Sequence, residues 1–305
     1  MQAHNFIKAE KKITSPELMV KWGLTKTYTA IMEFIKALQS SIKGKQKSDI
    51  KKSENPCIIG FNLFFKELER ILKDTPPFES NQRFGNKAFR DWYSKLEKEY
   101  STLLTSTILK SKPNEGLVTE LKSYILDCFG SAMRIDYGTG HELNFLCILL
   151  ILCEAQYFTV DDFPNIVLEV FFEYILFVRK IQTTYKLEPA GAHGVWGLDE
   201  YHFLPFLFGA SQLVGNYDLT PKVVHDDSLI RQYQDEYMYL SAVSYVKNTK
   251  RGARFGEYAP MLDTISNVPN WEKVSKGLVK MYEDEVMKKF VVVQHFYFGS
   301  VLKFE

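Results

Sequence analysis

The apolar run at residues 145–153 (FLCILLILC) constrains the fold most, because it leaves no polar face for water. A helix that is apolar all round is buried, either in a protein core or in a membrane. A membrane-spanning helix needs roughly 20 apolar residues, and this run is far shorter. It therefore predicts an almost fully buried helix, and a chain of 305 residues is long enough to build a core around it.

Apolar residues elsewhere recur mostly at helical spacing. Ser15 and Pro16 form a typical helix start, with Ser15 as the N-cap and Pro16 at the first helical position. The helical pattern then continues through residues 18–42. Similar patterns predict helices over residues 58–73, 96–109, 117–129, 166–185, 235–250, 258–265 and 271–290.

Strand-like alternation is almost absent, and the valines at 291–293 are the one run that could form a short strand. We therefore predict an all-α protein with strand content near zero. No repeat of fixed period is visible, which argues against a helical-repeat solenoid. Residues 13–305 are expected to form one irregular multi-helix domain after a flexible N-terminus at residues 1–12.

Composition argues against several classes of partner. The net charge is +1, so no global excess of cations is available to displace counterions from nucleic acid. The lysine-rich loop at residues 43–55 has no interleaved aromatic residues, which also argues against a nucleic-acid contact. The start of the sequence lacks the apolar core of a signal peptide. We expect neither a nucleic-acid partner nor a membrane partner.

The four cysteines lack paired CxxC spacing and lie in or beside apolar stretches. Free cysteines in such places behave as small hydrophobic residues, which suggests a reducing compartment. We expect the protein in the cytoplasm and the nucleus. The cysteines are Cys57, Cys128, Cys147 and Cys153.

Residues 134–142 (RIDYGTGHE) form a loop that leads into the buried helix. Two glycines that flank a hydroxyl, followed by a helix N-terminus, can cradle an anion with backbone N–H groups, and Arg134 adds positive charge. The alternative is a capped turn, in which Thr139 is the N-cap and Glu142 completes a capping box. The loop is not a Walker A loop, because no Gly-Lys-Ser/Thr follows it.

The stretch at residues 188–213 (EPAGAHGVWGLDEYHFLPFLFGASQL) is rich in glycine, which indicates a backbone shaped around a ligand or a partner. Asp199 and Glu200 are adjacent carboxylates, and carboxylates beside phosphates suit Mg²⁺. The alternative is a tight corner between two core helices. In that case the Trp196 side chain fills the core at the corner. The two carboxylates then start the next helix, where the helix dipole favours them.

An apolar pocket in the same stretch could serve prolyl isomerisation. Such a pocket needs no nucleophile, because holding and desolvating the twisted X-Pro imide lowers the rotation barrier. Trp196, His202, Phe203 and Val195 could form it, and equally they could anchor a partner loop. His295, beside an apolar run, is by itself typical of a hydrogen-bonded core histidine. No Ser/His/Asp or Cys/His arrangement, zinc spacing or pair of catalytic acids is evident, so a hydrolase has no support.

Several segments resemble signature blocks of the phosphotyrosyl phosphatase activator family. They are 188–213, 134–145 (RIDYGTGHELNF), 82–97 (QRFGNKAFRDWYSKLE) and, near the C-terminus, VPNWEKVSKGLVKMY and VVVQHFYFGSVL. The resemblance points to a fungal member, with an all-helical fold of core, linker and lid around a cleft. It also implies activation of type 2A protein phosphatases through their catalytic subunit, and peptidyl-prolyl cis/trans isomerase activity.

The resemblance further implies an ATP-Mg²⁺ site and a prolyl-peptide pocket. The implied ATP contacts lie in the loop and near the C-terminus: Arg134, Asp136, Gly138, Thr139, Gly140, Val291, Gln294 and His295. The chain departs from the family at Val291, where proline is frequent, and at Glu200, where the family has a second aspartate. The implied metal ligands are the Gly194 carbonyl and Glu200, with Asp199 as a further ligand or as a residue that holds the loop. The implied peptide pocket contains Trp196, Asp199 and His202.

We place the lid at roughly residues 60–125 and build the cleft from residues 134–142, 188–213 and 290–300. The expected partners are the phosphatase catalytic subunit and prolyl peptides, with the chain as a monomer or a peptide-induced dimer. The alternative function is a non-catalytic helical binding module or scaffold, in which the glycine loops are only corners. Nucleotide binding distinguishes the two. An ATP-consuming transferase is disfavoured, because no residue near the loops resembles a catalytic base.

Overall fold

The computed structural model describes residues 4–79, 83–191, 197–250 and 254–305. These ranges are mostly helical, which confirms the predicted all-α class. The α-helices are α1 Leu18–Leu24, α2 Lys26–Ser41, α3 Pro56–Lys73, α4 Ala88–Ser106, α5 Glu115–Asp127, α6 Thr139–Glu154, α7 Phe163–Asn165, α8 Phe172–Tyr185, α9 Leu204–Gln212, α10 Asp227–Tyr233, α11 Met238–Thr249, α12 Phe255–Tyr258, α13 Pro260–Ser266, α14 Trp271–Tyr282 and α15 Phe290–Val293.

Strands are limited to two short pairs within the described ranges. β1 (Glu10–Lys11) pairs antiparallel with β4 (Tyr297–Phe298), and β2 (Asp136–Tyr137) pairs parallel with β3 (Glu188–Pro189). The prediction of strand content near zero is therefore confirmed. The valines at 291–293 could have formed a short strand, but they belong to helix α15 instead.

The end of the N-terminal segment is packed, in contrast to the expected flexibility up to residue 12. Lys11 lies in strand β1, and Ala9 and Ile13 on either side are 2% and 1% exposed. The pairing partner is almost three hundred residues away in sequence, so no local pattern indicates it. The result is that the two ends of the chain are held together.

The first helix begins later than predicted and is shorter. Ser15 and Pro16 lie in a turn, and α1 begins at Leu18. Thr25, with extended backbone angles, then ends α1, and its side chain accepts a hydrogen bond from the N–H of Tyr28 as the N-cap of α2. The prediction of one helix over this region was wrong, because a capping side chain competes with helix continuation.

Helix α6 is the centre of the core, as the apolar run predicted. Its residues from His141 to Leu152 are all buried. Phe145 stacks on Tyr174 of α8 with ring centroids 3.7 Å apart. Phe61 of α3 packs edge-on against the Phe145 ring. Helices α3 to α5, which fill the expected lid region, therefore share this core, and a separate lid stays a prediction.

Helix α9 crosses α11 at very close range. A Cβ added to Gly209 would lie 2.7 Å from both Cα and Cβ of Tyr239 on α11. Only glycine allows the two backbones to approach this closely. Pro205 lies in the first turn of α9, where its missing N–H costs nothing, so the proline starts this helix rather than breaking it.

Two helical segments have π-type hydrogen bonding that the sequence did not indicate. Residues Ile166–Phe171 precede α8, and residues Glu283–Met287 follow α14. Segments of this kind are frequent near functional sites. Within the described ranges, no helix combines the length and the apolar character that crossing a membrane requires.

Candidate functional site

A cleft of about 630 Å³ lies in front of the N-terminus of α6. Most of its lining comes from three stretches: the loop before α6 together with the start of α6, the residues after β3, and the segment around α15. Most of the expected nucleotide contacts face this one cleft, namely Arg134, Asp136, Gly138, Thr139, Gly140, Val291 and His295. Gln294 does not line it, and its side-chain amide instead donates to the Val291 carbonyl at 3.3 Å.

The loop is held in place by the β2–β3 pair. The N–H of Ala190 donates to the Tyr137 carbonyl at 2.8 Å, which brings the two chains side by side. A Cβ on Gly138 would lie 2.7 Å from the Ala190 carbonyl oxygen, so this close approach requires glycine. Gly138 is also the N-cap of α6. The first-turn N–H groups at Thr139 and Gly140 therefore lack acceptors within the helix and favour an anion.

The alternative interpretation of this loop as a capping box is wrong. Thr139 is the first residue of α6 rather than its N-cap, and the Gly138 cap has no side chain. Glu142 does not reach back to the helix start, because its carboxylate accepts the N–H groups of Phe203 and Leu204 at 3.0 and 2.9 Å. The loop end is therefore free of side-chain caps that would compete with a ligand.

Arg134 is the main exposed cation of the loop. Its Nε donates to Oδ2 of Asp136 at 2.6 Å, and its side chain is 45% exposed. This contact uses one nitrogen of the guanidinium, so the two terminal nitrogens stay available for a ligand in the cleft. Lys11 of β1 also lines the cleft, and sequence reasoning missed it because only the β1–β4 pairing brings it there.

His141 lies buried at the floor of the cleft between two carboxylates. Its Nδ1 is 2.6 Å from the Asp127 carbonyl and 3.1 Å from Asp127 Oδ2, and its Nε2 is 3.8 Å from Asp136 Oδ1. Burial alone would lower the pKa of His141, but the charges and hydrogen bonds of Asp127 and Asp136 raise it to about 9. His141 is therefore a fixed cation at neutral pH.

His295, which follows α15, is half-buried and neutral. Burial lowers its pKa, and the positive charges of Lys11 and Arg134 act in the same direction. The cleft therefore contains a neutral imidazole together with the cations of Lys11, Arg134 and His141. Asp127, the residue that charges His141, ends α5 and has no local sequence signal.

The charged state of His141 predicts how stability depends on pH. The folded pKa lies above the unfolded value of 6.5, so this contribution is complete below pH 6.5 and is lost as pH rises toward 9. We expect His141→Gln to remove about 1–3 kcal/mol of pH-dependent stability over this range. Urea unfolding of both proteins at pH 6.5, 7.5 and 9 measures it. Equal pH slopes for the two proteins would contradict the assignment.

A second, smaller cavity of about 250 Å³ also reaches the start of α6. Thr139 lines both cavities. Asp199 and His202 line the smaller one, as the expected peptide pocket requires, together with Phe203. Sequence reasoning missed the part of its wall that distant helical segments supply: Met261, Met281, Glu285 and Val286. The other expected pocket and metal residues, Trp196, Val195 and Gly194, lie outside the described residues.

The two adjacent carboxylates point to different partners. Oδ2 of Asp199 accepts the backbone N–H of His202 at 3.2 Å, whereas Oε1 of Glu200 pairs with Nζ of Lys250 at 3.1 Å. They do not start the next helix as the corner interpretation predicted, because α9 begins at Leu204. Among the described residues, no group of three or more His, Cys, Asp or Glu side chains could hold a metal ion.

Comparison with known proteins gives consistent matches along nearly the whole chain. The family model described as phosphotyrosyl phosphate activator (PTPA) protein matches residues 9–304. A serine/threonine-protein phosphatase 2A activator 2 from Candida albicans is 40% identical over 308 residues, which cover 98% of this chain and 83% of that protein. A serine/threonine-protein phosphatase 2A activator from Drosophila melanogaster is 37% identical over 295 residues, covering 97% of this chain and 73% of the other.

A solved structure supports the same relationship. It is described as the crystal structure of the PP2A phosphatase activator Ypa1 PTPA1, and it matches with a TM-score of 0.85 and 31% identity. The match covers 97% of this chain and 94% of that chain. Fungal proteins are among the relatives, as the sequence led us to expect.

Proposed function

Because this chain belongs to the PTPA family of phosphatase activators, we propose that it activates type 2A serine/threonine protein phosphatases by binding their catalytic subunit. The support is the naming of its relatives as phosphatase 2A activators over nearly the full length of this chain. In this proposal the cleft in front of α6 holds ATP-Mg²⁺, and the smaller cavity holds a prolyl segment.

The observation that carries the nucleotide proposal is the loop before α6. It combines first-turn N–H groups without helical acceptors and the available terminal nitrogens of Arg134, in a cleft of about 630 Å³. This volume suits a small-molecule ligand, for which sites of about 300–1,000 Å³ are usual. Arg134 and the N–H groups of Thr139 and Gly140 would hold phosphate oxygens, and His141 beneath them adds a buried positive charge.

Isothermal titration calorimetry with ATP, with and without Mg²⁺, tests nucleotide binding directly. We expect binding to the wild type, and a rise in melting temperature that follows the nucleotide concentration. If neither is seen, alone or with the phosphatase subunit present, the nucleotide proposal fails. The chain would then be better described as a non-catalytic helical binding module.

The carboxylates near the two cavities fit Mg²⁺ only in part. Asp199 lines the cavity that shares Thr139 with the cleft, whereas the Glu200 carboxylate is already paired with Lys250. Mg²⁺ needs only one or two protein carboxylates when phosphates and water supply the other ligands. When bound, the ion would neutralise phosphate charge, and these two residues are the described candidates to hold it.

The double variant Asp199→Asn/Glu200→Gln tests this assignment. We expect it to reduce the Mg²⁺ enhancement of ATP affinity at least tenfold, about 1.4 kcal/mol, because both candidate carboxylates lose their charge. Calorimetry with and without Mg²⁺ measures the effect, and the two single variants show which carboxylate is responsible. Asp227→Asn, at a surface pair with Lys247, is the control. Unchanged Mg²⁺ dependence in the double variant would exclude both residues as ligands.

We also propose peptidyl-prolyl isomerase activity for the smaller cavity. Its apolar wall, formed by Phe203, Met281 and Val286, would keep water away from a prolyl imide. Removing water destabilises the planar, charge-separated form of the amide relative to the twisted form, which lowers the barrier. Cis/trans exchange of a proline-containing peptide, followed by NMR, tests this. Exchange rates equal to those without protein would exclude catalysis, and the cavity could then only bind the peptide.

A further inference from the structure

Glu142 is a buried carboxylate that the proposed activity leaves without a role. It is 0% exposed and lies on the first turn of α6, three residues after Thr139. Its Oε2 accepts the N–H groups of Phe203 and Leu204, at the start of α9. Its Oε1 lies 3.1 Å from Nδ1 of His202. One side chain therefore joins the helix that follows the nucleotide loop to the turn that lines the smaller cavity.

When Glu142 is ionised its carboxylate can only accept, so Nδ1 of His202 donates to it, and the Gln182 contact fits this direction. The hydroxyl of Tyr245 donates to Oε1 of Gln182 at 3.0 Å, and the Gln182 amide nitrogen lies 3.0 Å from Nε2 of His202. The amide nitrogen donates in this orientation, so Nε2 of His202 accepts and Nδ1 carries the proton. In turn, the backbone N–H of His202 donates to Asp199, which lines the same cavity.

We propose that Glu142 is the positioning residue of the peptide pocket, fixing the turn at residues 199–204 to the first turn of α6. The part of this inference that concerns peptide binding rests on the proposed function, whereas the contacts of Glu142 do not depend on it. This role accounts for the surroundings of Glu142, whose partners are N–H groups. Among the described residues, no Lys or Arg side chain lies within ion-pair distance of its carboxylate. Without an acceptor at this position, two N–H groups at the start of α9 would be buried and unpaired, which is costly.

The protonation states agree with this arrangement at mildly alkaline pH. Burial lowers the pKa of His202 to about 3, and nearby Arg179 acts in the same direction, so the imidazole is neutral. Burial raises the pKa of Glu142 to about 8, although the two N–H groups and Arg179 oppose this rise. At pH 9 a carboxylate therefore faces a neutral imidazole, and the contact is a hydrogen bond rather than an ion pair.

Nitrogen-15 NMR of the His202 ring at pH 9 tests the contact. We expect the wild type to show a neutral ring with the proton on Nδ1. In Glu142→Gln the amide oxygen can still accept the two N–H groups, but its amide nitrogen must donate to Nδ1 of His202. The proton must then move to Nε2, with the Gln182 amide reversed. A wild-type proton on Nε2, or no change of tautomer in the variant, would overturn the inference.

Glu120→Gln is the matched control. Glu120 is also a buried carboxylate that accepts backbone N–H groups, from Ile7 and Val301 at 3.1 and 3.0 Å, but it joins the two chain ends. The chemical change and the burial are the same. We expect the His202 tautomer and peptide binding to stay as in the wild type. A tautomer change in this control would show that removing any buried carboxylate charge alters the His202 ring, and that the Glu142 contact is not the specific cause.

Peptide affinity distinguishes positioning from mere folding. With a proline-containing tetrapeptide as the probe, Glu142→Gln should bind within about threefold of the wild type, because both N–H groups keep an acceptor. Glu142→Leu, which has none, should bind at least tenfold more weakly. Equal affinity of the Gln and Leu variants would overturn the positioning role. If the wild type binds no peptide, the pocket proposal fails, while the tautomer result still decides the contact.

Discussion

Replacing Arg134 by alanine should weaken ATP binding about 10- to 150-fold without unfolding the protein. The size follows from hydrogen bonds to charged groups, which contribute about 1.5–3 kcal/mol each. The side chain is 45% exposed and its one contact within the described residues is with Asp136, so its loss removes little from the core. Calorimetry gives the affinity, and circular dichroism shows whether the helices remain.

Two controls make this result specific. Arg134→Lys keeps the positive charge but loses the planar guanidinium with its several N–H donors. Its affinity for ATP should therefore fall between those of the wild type and the alanine variant. Arg70→Ala removes an exposed arginine that pairs with Glu67 and Glu99 on the outside of α3 and α4, and it should leave ATP affinity unchanged. Equal losses in Arg70→Ala and Arg134→Ala would mean that overall charge, rather than the loop, attracts the nucleotide.

Replacing Gly209 by alanine should have the largest effect on stability. The added Cβ would lie 2.7 Å from Cα of Tyr239, and backbone atoms in two packed helices cannot move away as a flexible side chain would. We expect a loss of at least about 3 kcal/mol in the free energy of unfolding, the upper end of usual overpacking costs. Urea denaturation measures the loss, and failure to fold at all is the extreme form of the same result.

Gly277→Ala is the matched control on α14. Nothing lies within 4 Å of the added methyl group, and the position is exposed within a helix. Alanine there should stabilise the protein by about 0.5–1 kcal/mol, because glycine loses more backbone freedom on folding. The same substitution should therefore have opposite signs at the two glycines. A Gly209 variant as stable as the wild type would mean that α9 and α11 do not cross this closely.

Elements that depend on local pattern could be predicted from the sequence. The apolar run predicted α6 as a buried helix. Helical spacing predicted the start of α3 within two residues of its observed position at Pro56. Elements set by distant contacts could not be predicted. The β1–β4 pair and the π-type segments at Ile166–Phe171 and Glu283–Met287 have no local signal.

The same distinction holds for the candidate site. The glycines and Arg134 marked the loop, because backbone approach and charge are visible in the sequence. The residues that complete the site come from elsewhere: Asp127 beneath His141, Lys11 through strand pairing, and Met281 behind the loop. Sequence spacing offers Glu142 only a role as a cap for its own helix, because its actual partners at Phe203 and Leu204 lie about sixty residues away.

Activation of a purified type 2A phosphatase catalytic subunit tests the central claim most directly. Phosphatase activity is measured after mixing with the wild type or with Arg134→Ala, each with and without ATP-Mg²⁺. We predict that the wild type raises the activity and that ATP-Mg²⁺ is required. Arg134→Ala, at equal concentration and equal helical content, should fail to do so. No activation by the wild type in either condition, or equal activation by the variant, would contradict the account.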